Sequence, residues 1–90
     1  MGIHVHIHQA HRDVTGGNSV VETAGNNVGE CLTNLMRTYP GMKDVLFDKK
    51  GKLRNTMEIY VNQESAYPDE LKKRVRDGDE IHLLFMVAGG

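Results

Sequence analysis

Ile3, Val5 and Ile7 alternate with His4, His6 and His8, the period of two expected of a half-buried strand. Polar and turn-forming residues follow and end in Thr15-Gly16-Gly17-Asn18, where the glycine pair supplies the positive φ values of a hairpin connection. Ser19 to Thr23 reads as a weak returning strand. Gly25-Asn26-Asn27 breaks that pattern, and the period changes. Val28, Cys31, Leu32, Leu35, Met36 and Tyr39 recur at three- and four-residue steps, which makes one apolar stripe along a helix. Asn27 is its expected N-cap, with Glu30 three residues later as in a capping box. Pro40-Gly41 stops it, because the residue before a proline is pushed out of helical geometry.

Val45-Leu46-Phe47 is a short apolar run ahead of the turn Asp48-Lys49-Lys50-Gly51. Met57, Ile59 and Val61 alternate with Glu58, Tyr60 and Asn62 and predict another strand; Asn62-Gln63-Glu64-Ser65 then reads as a turn. Pro68-Asp69-Glu70-Leu71 opens a single helical turn, and Asp77-Gly78-Asp79 is a tight turn. Ile81 to Val87 is the most apolar stretch, so it is expected to be a central strand, buried on both faces and in parallel pairing. A hairpin, one long helix and a central last strand predict an α+β chain of β-grasp type. Its mixed sheet would have four to five strands, with the helix packed across it and supplying the crossover between first and last strand. Ninety residues make one domain, 1–90, without linkers or repeats and with a short flexible tail at 88–90.

The formal net charge of -1 argues against a nucleic-acid binder. The basic residues Lys72, Lys73, Arg74 and Arg76 are interleaved with Asp69, Glu70, Asp77, Asp79 and Glu80, a solvated mixed face. No apolar stretch has membrane-spanning length and no secretory leader opens the chain, so a cytoplasmic protein without membrane attachment is expected. The single cysteine, Cys31, excludes an internal disulfide and lies on the helix stripe as a buried structural thiol. His4, His6 and His8 share one strand face and are the candidate metal ligands. Same-face neighbours about 6 to 7 Å apart seldom converge on one ion, so a solvated or partner-facing surface is expected there.

The chain ends Met86-Val87-Ala88-Gly89-Gly90. Glycine costs backbone entropy unless freedom or close approach is needed, and a side-chain-free end suits a narrow channel in another enzyme. A carboxylate there is a poor electrophile until adenylated, and sulfur delivered to the adenylate yields a thiocarboxylate. Several stretches together carry a resemblance: Arg12-Asp13-Val14-Thr15-Gly16-Gly17, Val28-Gly29-Glu30, Tyr39-Pro40-Gly41, Gly51-Lys52-Leu53, Ile59-Tyr60-Val61-Asn62, Asp77-Gly78-Asp79-Glu80 and Val87-Ala88-Gly89-Gly90. In this order they resemble the ThiS/MoaD family of ubiquitin-like sulfur carriers, and within it the branch that feeds cysteine synthesis.

The resemblance implies a β-grasp fold and a carrier that is not itself an enzyme and binds no cofactor stably. It implies an E1-like adenylating partner that uses ATP and a second partner that accepts the sulfur; a monomer is expected when the chain is free. It places the adenylate and thiocarboxylate at Gly90. Gly89, Ala88, Val87, Met86 and Phe85, with Tyr60 on its strand, are the expected partner contacts. The alternatives are the small subunit of molybdopterin synthase, a thiamine-type carrier, and a ubiquitin-like modifier joined to lysines through Gly90. The histidines at 4, 6, 8 and 11, and Phe85-Met86 where proline is often seen, depart from the family pattern.

Overall fold

The computed structural model describes residues 2–85. Strand β1 (Ile3–His6) is followed by a single 3-10 turn at Gln9–His11, started by the His8 ring, whose Nδ1 accepts from the Ala10 amide at 3.0 Å. The chain returns as β2 (Val20–Thr23), antiparallel to β1, with Val5 opposite Val21. The connection between them is tied down from inside. Thr15 is fully buried, and its hydroxyl lies within hydrogen-bond distance of the carbonyls of Arg12 and Asn18, so no polar group is orphaned there. Gly16 and Gly17 follow at φ 65° and 90°, the left-handed region that the glycine pair was expected to supply.

Helix α1 (Val28–Thr38) begins where the period changes. The Asn27 side chain accepts from the Glu30 amide at 2.8 Å, and the Glu30 carboxylate accepts from the Asn26 amide at 2.9 Å. The reciprocal bond of the capping box thus falls one residue ahead of the N-cap. Val28, Cys31, Leu32 and Leu35 are buried; Met36 and Tyr39 pack at the edge of the core. Tyr39 leaves helical geometry before Pro40, as expected.

A second short helix, α2 (Met42–Leu46), then forms where only an apolar run was expected. Its two buried residues, Met42 and Leu46, are four apart and close the core beside α1. Strand β3 (Met57–Val61) turns through Asn62 and Gln63, both at positive φ, into β4 (Glu64–Ser65). Residues 64 and 65, expected as part of the turn, are therefore a two-residue edge strand. A 3-10 turn at Glu70–Lys72 and the Gly78 turn lead to β5 (Glu80–Phe85).

The sheet order is β2-β1-β5-β3-β4, with β5 parallel to β1 and antiparallel to β3. The β-grasp expectation, five strands and one main helix, holds. One expectation about β5 does not. It is central in the sheet, but only Ile81 and Leu83 are buried; His82 is half-buried and Leu84 is 41% exposed. Both helices pack on the face formed by Ile3, Val5, Met57, Ile59, Val61, Ile81 and Leu83, so among the described residues the opposite face has no helix covering it. Each of those buried aliphatic side chains contributes about 1.5–3 kcal/mol, and together they carry the fold. None of the helices described is long and apolar enough to cross a membrane.

Candidate functional site

The uncovered face of the sheet positions the site. Strand register sets Val20, His6, His82, Tyr60 and Ser65 side by side in one row across all five strands. The neighbouring row toward the end of β5 pairs Leu84 with Glu58. A shallow groove on this face is lined by His6, His8, Arg12, Val20, His82 and Leu84 among others. Leu84 and Val20 are the two apolar side chains it leaves open, each 41% exposed. Leu84 lies in the strand that leads into residues 86–90, so an apolar and imidazole-rich surface adjoins the last stretch of chain described.

Phe85, an expected partner contact, does not lie open in the same way. It is half-buried, packs against the core, and meets the His11 ring edge-on at 5.2 Å and 88°. Tyr60 does lie on the uncovered face, half-buried, with its hydroxyl 3.5 Å from the Glu58 carboxylate. Gly90, Gly89, Ala88, Val87 and Met86 fall outside the described residues.

The histidines do not gather as the sequence spacing set them. His4 is exposed, and His8 turns to cap the 3-10 segment. His6 instead stacks on His82 of the neighbouring strand, with ring centroids 4.1 Å apart and planes within 9°. Its Nε2 donates to the Glu80 carboxylate at 2.5 Å. Burial, and then the His6 charge, hold the His82 pKa below its ordinary value; Glu80 opposes the effect. Burial also lowers the His11 pKa, with His8 adding to the shift and Asp13 opposing it.

Cys31 is fully buried, and burial, reinforced by the Glu30 charge, pushes its thiol up to about 11. At neutral pH it is an unionised core side chain and a poor nucleophile, in line with the structural reading of its place on the helix stripe. Asp79 closes the turn before β5: its carboxylate accepts from the Asn62 side chain and the Arg76 amide at 2.9 Å each, which hold its pKa low.

Val20, Glu80 and His82 were missing from the expected site residues. The signal was present in β5 itself, where Ile81 and Leu83 alternate with His82 and Leu84. It was masked because Leu84 continues the apolar run.

Comparison with known proteins places this geometry. The family described as the ThiS family matches residues 5–90. The sulfur carrier protein CysO of Mycobacterium tuberculosis is 34% identical over 93 aligned residues that cover 100% of both chains. A chain in the crystal structure of the Amycolatopsis orientalis BexX/CysO complex superposes with a TM-score of 0.88 at 33% identity, covering 99% of this chain and 100% of that one. Small archaeal modifier protein 1 from Methanosarcina acetivorans superposes with a TM-score of 0.82 at 27% identity, covering 98% of this chain and 95% of that one. With a family match across nearly the whole sequence and a full-length relative above 30% identity, the chain belongs to the ThiS family.

Proposed function

We propose that this protein is a sulfur carrier for biosynthesis of the cysteine type, and that the backbone carboxyl group of Gly90 is its reacting group. The observation that carries the reading is the end-to-end alignment with CysO, together with a family match that runs through residue 90. The chemistry is supplied jointly. A carboxylate oxygen of Gly90 attacks the α-phosphorus of ATP in a partner enzyme, and pyrophosphate leaves. A sulfur nucleophile then attacks the acyl carbon, AMP leaves, and a thiocarboxylate remains on the carrier. That sulfur is the nucleophile passed to the accepting enzyme. The carrier contributes recognition; ATP belongs to the partner's reaction.

The uncovered sheet face supports this division of labour. An adenylating enzyme must grip the domain while it draws residues 86–90 inward, and Leu84, Tyr60 and Val20 offer apolar surface next to the strand that leads there. Exposed apolar side chains grouped on one face mark a docking surface. The likeness to small archaeal modifier protein 1 supports a second reading, in which the activated Gly90 carboxyl is passed to a lysine amine of another protein. Isopeptide-linked conjugates that vanish on deletion of Gly90 would favour that reading.

The test is pyrophosphate exchange into ATP, catalysed by the cognate adenylating enzyme. Deletion of Gly90 is expected to abolish exchange with the melting temperature unchanged, because the described core lies within residues 3–83. Leu84→Ser is expected to raise the KM for the carrier and leave kcat nearly intact. Full exchange by the Gly90-deleted chain would overturn the assignment of the reacting group.

A further inference from the structure

We propose that His6, Glu80 and His82 form a binding site for a borderline divalent cation of the zinc type on the uncovered face of the sheet. This site is independent of the sulfur-carrier reading. Each residue offers one donor atom, and the three donor atoms all lie within 4.8 Å of one another. None of them is brought there by local spacing alone. His6 comes from β1, while Glu80 and His82 come two apart from β5, and the parallel register sets His6 directly beside His82.

The geometry is close to what an ion requires. Tetrahedral zinc holds nitrogen at about 2.0–2.1 Å and carboxylate oxygen at about 2.0–2.2 Å, so its donors sit roughly 3.4 Å apart. The His6 and Glu80 donors are now 2.5 Å apart with a proton between them, and the two imidazoles are stacked at 4.1 Å. An ion takes the place of that proton. The Glu80 and His6 atoms open by less than about 1 Å, and the His82 ring tilts toward them. The Nε2 proton of His6 passes to water as the metal binds.

Two imidazoles and one carboxylate from protein, with the fourth position left to water, match the donor set of open zinc sites. Both histidines are half-buried, so the site is reachable from solvent. The site also revises the His4, His6 and His8 set expected from the strand pattern: only His6 belongs to it.

The experiment uses the full, tag-free chain titrated with Co2+ alone, followed by visible absorption, and with Zn2+ alone, followed by calorimetry. One ion per chain is expected, with cobalt bands of four-coordinate intensity. His6→Gln, His82→Gln and Glu80→Gln are each expected to weaken Zn2+ binding about a hundredfold, at or beyond the upper end of what outer-shell partners cost. All three side chains lie on the uncovered face, so these variants keep the far-ultraviolet circular dichroism of the parent. His4→Gln and His8→Gln are expected to bind as the parent does. Absence of saturable binding would overturn the site. So would unchanged affinity in His82→Gln or Glu80→Gln, or a loss confined to His4→Gln and His8→Gln.

Discussion

His11 shows how a single side chain reports on its surroundings. Its ring sits edge-on to Phe85 at 5.2 Å, and burial is the main reason its pKa falls below the usual 6.5. The folded state therefore prefers the neutral ring. The stability this contributes is fully present above the unfolded value near 6.5 and is lost as pH falls from there to the lower folded pKa. In a proton NMR titration with chelator present, the His11 midpoint is expected below 6.5. In Phe85→Ala it is expected to move upward, because water returns to the ring. An unmoved midpoint in that variant would mean that His8, and not burial, sets the shift. At this scale the sequence was only partly legible. Cys31 could be read as a core thiol, since its stripe neighbours Val28, Leu32 and Leu35 fix the direction of its side chain. His6 could not be paired with Glu80, because the two are 74 positions apart in the chain and only the fold joins them.

Among the elements, α1 was the most legible, since eleven residues give the apolar stripe three turns in which to repeat. Its start was legible too. Asn27 caps the Glu30 amide at 2.8 Å, and the Val28 amide and Asn26 carbonyl tie the same end to Lys73 and Val75. Asn27→Ala is expected to cost about 1 kcal/mol, within the range measured for lost N-caps. Urea unfolding should show this as a lower midpoint with an unchanged slope; a cost near zero would mean that the contacts with residues 73–75 hold the end alone. Shorter elements escaped the pattern. In α2 the period rests on one pair, Met42 and Leu46, and in β4 two residues carry no period at all. In β5 the apolar run was legible but its burial was not. A central strand has neighbours on both edges, yet among the described residues helices cover one face only, and Leu84 is left open on the other.

For the whole molecule, the order of elements was enough to predict the β-grasp, because parallel pairing of the last strand with the first requires a crossover that α1 is long enough to make. The proposed reacting end was inferred by another route. Phe85 and Tyr60 take their places in the sheet, whereas Gly90 lies beyond the described residues, and its role rests on the motifs around it and on the full-length likeness to CysO. In the proposed function the fold and the terminus divide the work between them, one recognised by a partner and the other reacting. That division is the central claim, and intact-protein mass spectrometry tests it most directly. The full chain is incubated with its adenylating enzyme, ATP and a sulfur source, and its C-terminal peptide is then sequenced. The expected result is a mass gain equal to the exchange of one oxygen for one sulfur, confined to Gly90 and dependent on ATP. An unchanged terminus under conditions that load a known carrier, or sulfur found on Cys31 instead, would contradict it.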